Sequence, residues 1–176
     1  AQGIPVASGS ASFLFAQPEA IALLRVLHII ANPYDDVAVA ESMLDITSGI
    51  PPLEAHAYLY GHKGKDVHVS SVAAWADNEG LFKGVSAVAA WGKRLEQWIT
   101  EVTHRPIPEA IALIGNELLV NRKQSHESLL RSVEMVRSLL HAVTLWQERG
   151  EGKTLASLLA YIDRLQSYQH DIPLAS

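Results

Sequence analysis

The sequence predicts an all-α fold, a multi-helix domain with a short extended segment at each end. Three observations predict it. Apolar residues recur at helical spacing through most of the 176 positions. Strand-like alternation over several residues is almost absent. Pro, Gly, Asn and Ser fall where helices start and stop.

Residues 1–17 read as extended chain and loop, with Ile4-Pro5-Val6 as a short strand-like stretch and Gly9 among serines as a turn. Pro18 opens the first helix and Glu19 suits its positive end. Ile21, Leu24, Leu27, Ile29 and Ile30, with Leu23 and Val26, leave that helix little polar face, so it is expected to be buried. Asn32-Pro33 stops it. The second helix begins near Tyr34, with Asp35 or Asp36 as its cap, and carries Val37, Ala40, Met43 and Leu44, with Ile46 as a candidate last member of the same spacing. A loop, residues 47–52, feeds a third helix over 53–60. A Gly- and Lys-bearing loop follows over 61–69, and Ser70 or Ser71 is expected to cap a short helix reaching Trp75.

The clearest long helix spans 84–103, with Val88, Trp91, Leu95, Trp98, Ile99 and Val102 on one stripe. Arg105-Pro106-Ile107-Pro108 ends it. Another helix runs from Pro108 or Glu109 to Val120. The next begins near Ser125 and carries Leu129, Val133, Val136, Leu140, Val143 and Trp146, until Gly150 and Gly152 stop it. A last helix covers 153–168 with Leu155, Leu158, Leu159, Ile162 and Leu165.

Composition narrows the function. Hydrophobic residues make up 48% and charged residues 19%, which is enough apolar material for a sizeable core. No cysteine is present, so disulfides and thiolate metal sites are excluded. The longest apolar run, residues 20–31, is interrupted by Arg25 and His28 and is too short to span a bilayer. No basic leader opens the chain. These features predict a cytoplasmic protein with no membrane partner. The chain does not begin with Met and ends on a short apolar stretch, which predicts a segment cut from a larger protein. The formal net charge of −5, with only His62, Lys63 and Lys65 as a basic cluster, predicts that the segment alone holds nucleic acid weakly.

Five patterns invite a chemical reading. Gly150-Glu151-Gly152-Lys153-Thr154 ends like a phosphate loop, but position 147 is Gln and a helix precedes, so it reads as a helix stop and restart. His56, His62 and His68 are a possible zinc set only if they converge with a further ligand. Asp35-Asp36 sits where capping acids belong. Trp91 and Trp98, seven apart, have core spacing, whereas Trp75 and Trp146 are open between packing and base stacking. The turn Ser48-Gly49-Ile50-Pro51 between two helices resembles hairpins that hold a DNA backbone, where Gly permits close approach and helix amides face phosphate.

Several fragments then occur in one order: Gly3-Ile4-Pro5-Val6, Ser12-Phe13-Leu14-Phe15, Gln17-Pro18-Glu19, Leu24 to Ile30, Ala31-Asn32-Pro33-Tyr34-Asp35-Asp36, and Ser48-Gly49-Ile50. This series resembles the UvrD/Rep/PcrA-like DNA helicases of superfamily 1. Residues 158–174 resemble the stretch by which such chains, including AddA- and RecB-like relatives, return to the motor. The resemblance implies a location. Residues 1–17 would end a motor-domain (2A-like) segment, 18–168 would be the inserted helical accessory (2B-like) domain, and 169–176 would lead back to the motor. Phe13, Phe15, Glu19, Asn32, Pro33, Asp35 and Asp36 would be structural motif residues. Ser48, Gly49 and Ile50, with Lys63 and Lys65, would be the candidates for DNA contact.

The resemblance further implies that the parent is an ATP-dependent helicase, an ATP hydrolase acting in DNA repair or recombination. ATP and Mg would bind the parent's motor domains, and this segment would carry no catalytic, cofactor or metal residue. Its partners would be duplex or forked DNA in the full-length protein, and other proteins. This sequence departs from the family loop, which ends Arg-Gly-Ile-Gly. Here Arg is replaced by Ser48, and Pro51 has no amide hydrogen to donate. Two other classes stand beside this one: a free-standing helical module that binds a partner protein through an exposed apolar stripe, and a small metal enzyme built on the loop histidines.

Overall fold

The computed structural model describes residues 16–75, 86–150 and 152–167. Among them there are helices and turns and no strand, so the chain is all-α. The extended segments expected over 1–17 and 169–176 lie almost wholly outside the described residues, as do Phe13 and Phe15. No described helix is long and apolar enough to cross a membrane.

The helices are α1 (Pro18–Ala31), α2 (Asp36–Leu44), α3 (Pro52–Gly61), α4 (Val69–Ala73), α5 (Ala87–Val102), α6 (Ile107–Gly115), α7 (His126–Glu148) and α8 (Leu155–Ser167). A 3-10 turn, Ile46–Ser48, follows α2, and a π-helical turn, Asn116–Val120, follows α6. The chain divides into two compact units, one of Ala1–Leu27 with Arg105–Ser176 and one of His28–His104.

The His28–His104 unit is organised on α5. Ser86 caps this helix, its hydroxyl accepting from the Ala89 amide at 2.9 Å. Of the stripe read from the sequence, Val88, Trp91, Leu95, Trp98 and Val102 are buried and Ile99 is half-buried. The two indole rings meet edge to face, 5.9 Å apart, a favoured aromatic geometry. Trp91 also needs a partner for its ring N–H, and it donates to the Ser42 hydroxyl of α2 at 3.0 Å. Gly92 lies where α5 meets α4. A Cβ built there would stand 2.3 Å from the Ala73 backbone nitrogen, so the two backbones touch only because Gly has no side chain.

The short helix α4 differs from the sequence expectation in its cap. The capping position is His68, and Ser71 acts from the third helical position. The Ser71 hydroxyl accepts from the His68 amide and donates to its carbonyl, at 3.0 and 2.8 Å.

In the other unit, α6 widens into the π turn, where the Asn121 amide donates to the Asn116 carbonyl five residues back at 2.8 Å. That turn interrupts what the sequence reads as one helix to Val120. Gln124 closes it. Its side-chain N–H group donates to the Leu119 and Val120 carbonyls, at 2.7 and 3.2 Å, and its oxygen accepts from Ser128 and Ser132 of α7. Gly115 makes room for Val136 of α7, whose Cγ2 would lie 2.9 Å from an added Cβ. Ser125 caps α7 as expected, and Gly150 ends it with a left-handed φ of 69°. Trp146 is buried in this unit's core, with the Tyr161 ring of α8 6.5 Å away.

Gly92→Ala should cost about 3 kcal/mol of stability, because backbone rather than a flexible side chain occupies the space. Gly61→Ala, with nothing within 4 Å of its Cβ, should be neutral or slightly stabilising. Urea unfolding of the two variants checks the contrast.

Candidate nucleic-acid interface

Glu19 belongs to the Ala1–Leu27/Arg105–Ser176 unit. Its acid lies in the first turn of α1, as the dipole argument expects, and it is nearly buried. One carboxylate oxygen lies 3.6 Å from the Arg122 guanidinium, beyond the π turn. All the other described candidate residues lie in the His28–His104 unit.

Asn32 and Pro33 form the break between α1 and α2. The Asn32 side-chain oxygen accepts from the Tyr34 amide at 3.2 Å, and its backbone carbonyl accepts from the Asp35 amide. This is the local turn chemistry that makes Asn a helix stop. Asp35 is the cap of α2, accepting from the Ala38 amide at 3.1 Å. Asp36 turns to another partner: its Oδ1 lies 2.8 Å from Nδ1 of His68. The Tyr34 ring meets the His68 ring edge on at 5.2 Å. The adjacent acids thus have different tasks, one capping a helix and one reaching the start of α4.

The Ser48-Gly49-Ile50 turn is built for backbone geometry. Ser48 is buried, its hydroxyl donating to the Met43 carbonyl and accepting from the Ile50 amide, both at 3.1 Å. Ile50 is buried as well. Gly49 alone faces solvent, in the left-handed region at φ 73°. Pro51 and Pro52 have no amide hydrogen, so Leu53 and Glu54 supply the first amides at the start of α3.

Lys63 and Lys65 are exposed on the turn after α3, where Gly64 has φ 80°. They stand at the opposite end of α3 from Gly49, about 15 Å away along a ten-residue helix. The sequence candidates therefore occupy two ends of one helix rather than one surface spot. No Lys or Arg occurs between Arg25 and Lys63, while five acids do: Asp35, Asp36, Glu41, Asp45 and Glu54. Residues 28–104 hold five Lys and Arg against ten Asp and Glu, so the chain's formal charge of −5 falls on this unit. An anion approaching Gly49 meets an acidic environment.

Glu54 is the residue that sequence reasoning missed. It is 1% exposed, and one carboxylate oxygen accepts from the Ala87 and Val88 amides at 3.0 and 3.4 Å. With Ser86 it satisfies three of the donors that the start of α5 leaves open. A negative group at that helix end is also favoured by the dipole. The available signal was an acid on a helix whose neighbours Ala55 and Tyr58 are apolar.

The loop histidines do not converge. His56 is exposed on α3. His62 stacks on Tyr58 at 4.0 Å, with its Nδ1 2.8 Å from the Tyr58 carbonyl. The two ring nitrogens of His68 face different acids, Asp36 and, at 3.8 Å, Asp66. Among the described residues no group of three or more His, Asp or Glu is placed to hold a metal ion. Tyr58 is buried, which pushes its phenol above the ordinary 10.0, with the Ser71 hydroxyl opposing in part. Trp75 is half-buried, its ring edge on to Tyr58 at 5.3 Å.

The phosphate-loop-like stretch follows helix α7 rather than a strand. Thr154 and Ser157 bond reciprocally at the start of α8: the Ser157 amide donates to the Thr154 hydroxyl at 3.1 Å, and the Thr154 amide to the Ser157 hydroxyl at 3.2 Å. That is a helix start, not an arrangement of amides around a phosphate.

Gly49→Ala should lower stability by about 1 kcal/mol through left-handed strain alone, since no atom lies within 4 Å of the new Cβ. Gly49→Asn should cost less, because Asn tolerates this region. Denaturant midpoints of the two variants measure this. Comparison of the chain with family models and with curated proteins finds no match.

Proposed function

We propose that this chain is the non-catalytic helical accessory domain of an ATP-dependent DNA helicase of the UvrD/Rep type, acting in unwinding, repair or recombination. The observation that carries the reading is the order of its motifs: Glu19 in the first turn of a buried helix, the Asn32-Pro33 break with the Asp35 cap, then a helix and the Ser48-Gly49-Ile50 turn. Each has a local physical role compatible with a motif that fixes a fold rather than a reaction. Gly49 supports a backbone approach at the turn, being exposed and left-handed.

In this reading ATP and Mg act in the parent's motor domains, and the segment regulates unwinding by where it sits on the duplex ahead of the fork. The acidic balance of residues 28–104 makes its own DNA contact weak and confined to the exposed Gly49 turn and to Lys63 and Lys65.

Binding of this chain to forked and duplex DNA, measured across salt concentration, tests the contact. The expected dissociation constant is in the micromolar range at low salt, rising steeply with added salt. Gly49→Glu and Lys63→Glu/Lys65→Glu should weaken it further, and Gly49→Ala should weaken it less than Gly49→Glu. Absence of binding at low salt would remove duplex contact from the domain's role.

A further inference from the structure

The solvent-facing sides of α2 and α3 carry large apolar side chains, with Glu41 and His56 exposed among them. Nine large hydrophobic residues are exposed among the described residues. Six of them, Tyr34, Val37, Leu44, Ile46, Leu53 and Tyr60, fall between positions 34 and 60. They follow helical spacing. On α2, Val37 and Leu44 are seven apart, opposite the buried Val39, Ser42 and Met43. On α3, Leu53 and Tyr60 are again seven apart, with exposed Ala57 between them.

The inward side of α3 holds Glu54, Ala55 and Tyr58. Leu53 is 68% exposed and Tyr60 84%, so this helix is apolar outward while its carboxylate is inside. Clustered large apolar side chains in water mark interaction surfaces.

The charge around this face selects the occupant. From residue 26 to residue 62 the chain has four acids besides the buried Glu54 and no Lys or Arg, and Lys63 and Lys65 follow only beyond the end of α3. Asp35 and Asp36 stand at the start of α2, Glu41 lies on its outer side, and Asp45 follows its end. Such a surface repels polyanions, which excludes nucleic acid and anionic lipid as its main ligand. It attracts a cation that also offers apolar side chains.

We propose that the outward faces of α2 and α3 dock a basic amphipathic helix of a partner protein, its apolar stripe on Val37, Leu44, Leu53 and Tyr60 and its Lys or Arg residues toward Glu41 and Asp45. The two host helices pack on each other and are joined by the short turn through Ile46, so they offer one continuous stretch of chain to the incoming helix. Binding energy comes from burial of the four apolar side chains, and partner choice from the acids beside them. This site rests on the surface of this chain and not on the helicase reading, so either stands if the other falls.

The test uses a fluorescent 18-residue peptide of Leu and Lys, about the length of five helical turns, with Leu at i, i+3, i+4 and i+7. A peptide with Glu in place of every Lys and one with the Leu positions scrambled are the controls. The Leu/Lys peptide should bind the intact chain at one site, and neither control should bind. Leu53→Ser/Tyr60→Ser and Glu41→Lys should each weaken binding about tenfold. Val37→Ser/Leu44→Ser gives a second, separate variant on α2, and thermal unfolding reports whether each variant is folded.

Equal binding of the Lys and Glu peptides, or unchanged binding by folded variants of both helices, overturns the proposal. Binding of forked DNA that is lost in the folded Leu53→Ser/Tyr60→Ser variant also overturns it, since the face would then belong to nucleic acid.

Discussion

The His28–His104 unit depends on a carboxylate removed from water. Glu54 is an acid in the first turn of α3, and its carboxylate is buried against the first amides of α5, more than thirty residues away in sequence. A buried charge is costly unless it is hydrogen-bonded. A helix N-terminus is one of the few interior places that supplies both donors and a positive field. The exchange works in both directions, because the start of α5 needs acceptors once it is covered. Glu54 therefore fixes where α3 meets α5, and Trp91, by donating to Ser42, does the same for α2. Gly92 lets α4 close on the other part of α5. Three helices are held to one helix by a carboxylate, an indole N–H and a missing side chain.

That arrangement explains the outer surface. With Glu54 inside, α3 has spent its one carboxylate on packing, and Leu53, Ala57 and Tyr60 remain on the water side. The same helix connects the two places that sequence reasoning linked to DNA, the Gly49 turn before it and the Lys63 and Lys65 turn after it. Its length keeps them apart. The apolar outer face of α3 lies between them, so the geometry separates the Gly49 turn from the Lys63 and Lys65 turn.

The all-α class and most helices were legible in the sequence because their causes are local. Asp35 and Ser125 cap the helices they precede, Gly150 ends α7 in the left-handed region, and the stripe from Val88 to Val102 is the buried face of α5. The features that were not legible depend on distant residues. Glu54 reads as an ordinary first-turn acid until α5 is placed over it. The π turn at Asn116–Val120 depends on Gln124 taking up the last carbonyls, which no periodicity in the helix itself reveals. Trp146 was undecided between stacking and packing because its environment depends on another helix, α8. The candidate contact residues were found by motif order, but their separation along α3 and the internal use of Ser48 came only from the fold.

The central claim is that this segment serves a DNA motor. The direct measurement is ATP hydrolysis and strand separation by the full-length gene product on a forked duplex, with Gly49→Glu compared against the native sequence. The account predicts DNA-stimulated hydrolysis in both proteins and altered strand separation in the variant alone. A full-length product that neither hydrolyses ATP nor separates strands would contradict it.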